Sequence, residues 1–119
     1  MRVTIYHNPR CGKSRQTLQL LKGQGIDPVI VEYLKTPPNT EELEAILQKL
    51  GVGPRDLMRT KEAEYKALGL GDLSLDRATL MNAMIAHPIL IERPIVVTDT
   101  QAALGRPPEA VLALDLGAE

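Results

Sequence analysis

Apolar and polar positions alternate from the first residues of the chain. Val3 and Ile5 stand against Thr4 and Tyr6, and this period of two predicts a strand over residues 2–7. The period then changes. Leu18 and Leu21 fall on one side of a helical pattern running from about residue 12 to Gly23, and Gly23 and Gly25 supply the stop. Pro28-Val29-Ile30-Val31-Glu32-Tyr33 is rich in β-branched residues and predicts a second strand. Two strands flanking one helix form a βαβ unit, which implies a parallel pair with a right-handed crossover.

The next half of the chain carries helical periodicity alone. Thr36-Pro37-Pro38-Asn39 is a turn, and Asn39 with Glu42 three residues on has the pattern of a capping box. Leu43, Ile46, Leu47 and Leu50 follow at i, i+3, i+4, i+7, which makes one apolar stripe before Gly51 and Gly53. Pro54 is expected to open a short helix ending near Arg59, and Glu62 to Leu68 to form another. Ser74 is expected to cap a helix reaching about Ala86, with Leu80, Met81, Met84 and Ile85 on its apolar side. Pro88 stops that run.

Strands resume at Ile95-Val96-Val97-Thr98. Ala102-Ala103-Leu104 is expected to return antiparallel as a fourth strand, and Pro107-Pro108 to open a last helix through Val111 and Leu114. The whole reads as an α/β chain with a mixed four-stranded sheet. A helical insertion over about 40–87 separates strands 2 and 3. The expected organisation is one domain spanning residues 1–119.

Composition limits the function classes. With 119 residues, the chain can bury a core without covalent staples. Its net charge of −1, with no Phe and no Trp, argues against a general nucleic-acid binder that stacks on bases. No apolar run has the length of a membrane span, and no signal-peptide pattern opens the sequence, so a cytoplasmic location is expected. The single cysteine excludes an internal disulfide. No Cys/His cluster offers a metal site, and no tightly bound cofactor is implied.

That cysteine carries the candidate chemistry. In His7-Asn8-Pro9-Arg10-Cys11-Gly12-Lys13-Ser14-Arg15 it falls at the strand-to-helix turn, beside the first helical amides. Helix N-termini stabilise thiolates and bind anions. Gly12 leaves room beside the sulfur, and Arg10, Lys13 and Arg15 add positive charge. A free thiol titrates near 8.5, so only about 3% is thiolate at neutral pH. A helix terminus supplies about 0.3–1 kcal/mol, well short of the roughly 2.7 kcal/mol that two pH units require. Nearby cations or hydrogen-bond donors must supply the rest, so arginines elsewhere in the chain matter. His7 can tune the thiol, donate to a bound oxyanion, or satisfy loop backbone groups. Ser14 can donate to the thiolate or serve in the first helical turn.

Several blocks then carry a resemblance. They are Tyr6 to Arg15, Tyr33-Leu34-Lys35-Thr36-Pro37-Pro38, Leu57-Met58-Arg59, His87 to Val97, and Gly105-Arg106-Pro107-Pro108-Glu109. In this order they resemble the arsenate reductase family of the thioredoxin/glutaredoxin superfamily, including its short members. The resemblance implies a thioredoxin-like fold. It implies that Cys11 is the nucleophile toward arsenate, and that Arg59, Arg93 and Arg106 hold the oxyanion. It implies that Pro94 is the cis-proline beside the active cysteine. His7, Gly12 and Ser14 would then support the site. It also implies glutathione as co-substrate, glutaredoxin as protein partner, and a monomer. Two other functions share the fold. One is a glutathione-linked thiol oxidoreductase with a different substrate. The other is an Spx-type regulator that binds RNA polymerase, although Ser14 stands where such sensors carry a second cysteine.

Overall fold

The computed structural model describes residues 2–114 and 116. The chain divides into two compact units, residues 1–36 with 93–119, and residues 37–92. The insertion expected over about 40–87 lies within the second unit.

The first unit is built on a four-stranded sheet. Strands β1 (Thr4–His7), β2 (Val29–Glu32), β3 (Ile95–Val97) and β4 (Ala102–Leu104) lie in the order β2-β1-β3-β4. β1 pairs parallel with β2, with Ile5 opposite Ile30, and antiparallel with β3, with Ile5 opposite Val96. β4 returns antiparallel on β3, with Val96 opposite Ala103. Helix α1 (Gly12–Gly23) makes the crossover between the parallel strands, as the change of periodicity predicts. Gln24 caps it, and the chain turns away at Gly25, whose φ of +78° suits a residue without a side chain. Val3, Ile5, Leu21, Val96 and Val111 form the buried cluster of this unit, with Leu18, Ile26 and Ala103 packed against it.

Gly105 is the tightest point of this packing. A side chain there would run into the side chains of Thr17 on α1 and Pro94 at the entrance to β3. The Gly105 amide also donates to the Pro94 carbonyl at 2.9 Å. Only a bare Cα lets these pieces meet. Gly105→Ala is therefore expected to destabilise the protein by about 1–3 kcal/mol, as overpacking does. A urea midpoint indistinguishable from wild type would show that Thr17 and Pro94 can separate without cost.

The second unit is helical. Helix α2 (Thr40–Leu50) opens with the expected capping box: Asn39 Oδ1 accepts from the Glu42 amide at 2.8 Å, and Glu42 Oε1 accepts from the Asn39 amide at 2.9 Å. Gly51, at φ +71°, ends it. A 3-10 turn at Pro54–Leu57 and short helix α3 (Ala63–Ala67) follow. Helix α4 (Arg77–Ala86) starts two residues later than the Ser74 cap predicts. Asp76 is the cap, accepting from the Thr79 amide at 2.8 Å. Ser74 is occupied elsewhere, because its amide and hydroxyl both donate to Asp72 Oδ1. Leu43, Ile46, Leu47, Leu57, Leu80, Met84 and Leu90 are among the buried residues of this unit.

The C-terminal element also departs from the expected helix. Pro108–Ala113 is a 3-10 segment, and Leu114 is already extended. Six residues make a poor α-helical nucleus, and the tighter turn suffices to bury Val111. Among the described residues, no helix is long and apolar enough to cross a membrane.

Candidate active site

Cys11 occupies the N-cap position of α1, with extended backbone at φ −94° and ψ 122°. Its carbonyl accepts the first helical bond from the Arg15 amide, and its own amide donates to the Asn8 carbonyl, both at 3.0 Å. The preceding turn is closed by local bonds. Asn8 Oδ1 accepts from the Arg10 amide at 3.0 Å, and Arg15 Nη1 reaches back to the Pro9 carbonyl at 2.9 Å. Asn-Pro is a turn-forming pair, so this loop shape is written locally in the sequence.

The thiol is partly buried. Burial is the strongest single influence on it and pushes its pKa up. The remaining influences act the other way and prevail. They are, in order, the Ser14 amide, the positive charge of Arg93, the Lys13 amide and hydrogen bonding from the Arg93 side chain. The thiol titrates below its ordinary value as a result. No capping hydrogen bond is closed at the sulfur itself, so these donors act as electrostatic support that a thiolate would draw on. Arg93, distant in the chain, thus adds to what the amides at the helix start supply.

Ser14 contributes through its backbone, and its hydroxyl faces another task. Ser14 Oγ lies 2.6 Å from His7 Nδ1 and accepts from the Asn8 amide at 3.0 Å. Both His7 and Ser14 are buried. Burial lowers the His7 pKa, with Arg15 and Lys22 adding to the effect and Glu32 opposing it. In the neutral tautomer with its proton on Nε2, the imidazole accepts at Nδ1 and the Ser14 hydroxyl donates to it. Of the roles open to His7, this geometry provides the structural one directly: the pair ties the end of β1 to the first turn of α1. Gly12 is exposed, and a side chain there would meet only Arg15 at an ordinary contact distance. Its smallness serves space around the sulfur rather than packing.

Three of the four predicted anion-site residues share the first unit. Arg93 acts on Cys11, and its Nε and Nη1 are shielded from solvent. Arg106 is exposed, and its Nη1 donates to the Arg93 carbonyl at 3.3 Å. Arg93–Pro94 is cis, as the resemblance implies, and so is Arg106–Pro107. Arg59 belongs to the second unit, where its guanidinium pairs with Glu62 and Glu92. The reading of the sequence missed Gly105, Thr17 and the carboxylates around Arg59. Gly105 stands directly before the Arg106-Pro107-Pro108 motif, which was the only available signal.

A family model for ArsC matches residues 6–114. The chain belongs to the ArsC family. An arsenate reductase of Haemophilus influenzae is 50% identical over 115 residues, which cover 96% of this chain and 99% of that protein. An Escherichia coli K12 protein, YfgD, described as uncharacterized, is 52% identical over 113 residues, covering 94% and 95%. A solved arsenate reductase from Vibrio cholerae superposes with a TM-score of 0.91 at 56% identity, covering 94% of this chain and 96% of that one. The ArsC chain described here therefore has the thioredoxin-like fold that its sequence implies.

Proposed function

We infer that this ArsC-family chain reduces arsenate to arsenite. The observation that carries the reading is the Cys11 thiol, held below its ordinary pKa at the start of α1 by backbone amides and by Arg93. The names of its relatives supply the substrate. Arginine suits a tetrahedral oxyanion because its planar fork donates to two oxygens at once and stays charged. Arg93 and Arg106 are the proposed ligands, both in the first unit.

The Cys11 thiolate attacks arsenic(V), an S–As bond forms, and one arsenate oxygen leaves as water after taking up two protons. A glutathione thiolate then attacks the Cys11 sulfur. An S–S bond forms, the S–As bond breaks, and its electron pair stays on arsenic, which leaves as arsenite. Two thiols have given two electrons, and Cys11 is left in a mixed disulfide with glutathione. A glutaredoxin thiolate attacks the glutathione sulfur of that disulfide and returns Cys11 as thiolate. An open groove of about 710 Å³ beside Gly12, lined by Arg15, Gln16, Gln19 and Glu109 together with Leu20 and Pro108, offers an approach for a charged tripeptide.

The test is arsenate-dependent NADPH oxidation coupled through glutathione, glutathione reductase and glutaredoxin. Wild-type protein is expected to turn over, and Cys11→Ser to show none. Turnover by Cys11→Ser, or none by the wild type, would overturn the reading.

A further inference from the structure

The groove beside Gly12 carries charges of both signs. Arg15 stands on helix α1 and Glu109 on the 3-10 segment Pro108–Ala113, and both line the same open space of about 710 Å³. Leu21 of α1 and Val111 of that segment share one buried cluster, which fixes the two elements against each other. Both charged residues are exposed. Among the described residues, the Arg15 side chain makes one hydrogen bond, from Nη1 to the Pro9 carbonyl at 2.9 Å. The Glu109 carboxylate makes no hydrogen bond or ion pair among them. The two charges therefore line one groove without neutralising each other. Leu20 and Pro108 give the lining an apolar part.

A lone carboxylate suits such a groove poorly, because Arg15 attracts it and Glu109 repels it. A lone ammonium meets the converse difficulty. A head group with both charges on one carbon satisfies both side chains. The γ-glutamyl end of glutathione has that form: an α-carboxylate beside an α-ammonium, with two methylenes behind them. Its glycyl end has a carboxylate alone. We propose that Arg15 and Glu109 bind the γ-glutamyl head of glutathione, Arg15 taking the carboxylate and Glu109 the ammonium, while the cysteinyl thiol passes Gly12 to reach Cys11. The inference rests on the reading that glutathione supplies the second thiol. The lengths agree. Arg15 lies four residues beyond Cys11, about 6 Å along a helix axis, and two extended residues span about 7 Å. The methylenes lie on Leu20 and Pro108. Glu109 selects against other thiols as well as for glutathione, since an acidic head without the ammonium meets a like charge there.

The test needs no arsenate. Oxidised glutathione modifies the protein when the Cys11 thiolate attacks one of its sulfurs: a Cys11–glutathione S–S bond forms and a glutathione thiolate leaves. Mass spectrometry follows the rate, and each rate is divided by the same protein's iodoacetamide rate to remove changes in thiol reactivity. Wild-type protein is expected to react with the disulfide of γ-glutamylcysteine about as fast as with oxidised glutathione. Oxidised N-acetylglutathione, which lacks the ammonium, is expected to react roughly two- to fivefold more slowly, the scale of one exposed ion pair. Glu109→Gln is expected to slow oxidised glutathione by the same factor and to leave the N-acetyl form unslowed, because the group it would bind is already absent. Arg15→Gln is expected to slow both. Asp27→Asn, which removes the same charge beyond the other end of α1, is expected to change neither. Equal wild-type rates for oxidised glutathione and its N-acetyl form overturn the proposal. So does a Glu109→Gln that slows both forms alike or neither, or a loss of the glycine as costly as loss of the ammonium. An equal shift in Asp27→Asn would mark a long-range charge effect and also overturn it. A wild type that reacts with iodoacetamide but takes up no glutathione removes the glutathione step of the proposed function together with this site. The expected selectivity in a protein that does not turn over arsenate leaves the site standing and removes only the arsenate reading.

Discussion

Arg93→Ala is expected to raise the pH at which Cys11 becomes reactive and to cut arsenate turnover by about 10²–10³-fold, the usual cost of one donor to a reacting oxyanion. Two effects combine. Arg93 supports the thiolate by its charge and as a donor, and removing it leaves burial opposed only by the backbone amides of Ser14 and Lys13. The sign follows directly. A depressed pKa keeps the thiolate populated above that value, and reactivity disappears as pH falls through it. Without Arg93 the whole alkylation profile moves to higher pH. The second effect is loss of the fork that would hold the oxyanion. Arg93→Lys separates the two, because lysine keeps the charge but is a compact point donor. It should restore much of the thiol acidity and little of the turnover. Iodoacetamide alkylation against pH reads the first effect, and the coupled assay reads the second. An alkylation profile unchanged in Arg93→Ala would show that the amides alone set the thiol. A loss of thermal stability in both variants would make Arg93 a structural residue.

The parts of this site that were legible in the sequence are those fixed by neighbours along the chain. Cys11 at the head of a helix follows from a change of hydrophobic period on either side of one turn. Asn39 with Glu42 forms the expected capping box because both partners lie within one helical turn. Where two local solutions compete, the pattern is ambiguous. Ser74 and Asp76 are both good cap residues, and the outcome depended on Asp72 engaging Ser74 first. The sequence also could not show pairings set by tertiary register. Nothing near Arg93 indicates that it acts on a thiol more than 80 residues earlier, apart from the resemblance. Glu92 meets Arg59 only because Met58 and Ile91 bridge, and Gly105 is needed only because Thr17 and Pro94 converge on it. The Ser14 hydroxyl was a candidate donor to the sulfur until its distance to His7 Nδ1, 2.6 Å, gave it another partner.

Omitting glutathione is expected to stop arsenite release altogether, and this follows from counting thiols. Reduction of arsenic(V) to arsenic(III) takes two electrons, which two sulfur atoms supply when they join in a disulfide. The chain has one cysteine. At the position where a C-x-x-C pair would place the second, Ser14 has its hydroxyl bound to His7 and Asn8 and no sulfur to give. The second thiol must then come from another molecule. Cys11 is partly exposed, and its neighbour Gly12 lines a groove with Arg15 and Glu109, which suit the carboxylate and ammonium groups of a tripeptide thiol. In single turnover, protein with arsenate alone should hold arsenic on Cys11 and release no arsenite. Adding glutathione should release one arsenite per chain and leave one glutathione mass on Cys11, visible by mass spectrometry. Glutaredoxin should remove that mass and restore a free thiol. Ser14→Cys should not bypass the requirement, because the side chain at that position faces His7 and substitution there also breaks the tie between β1 and α1. Arsenite released at a sustained rate with a thioredoxin system and no glutathione would show that the second thiol need not be glutathione.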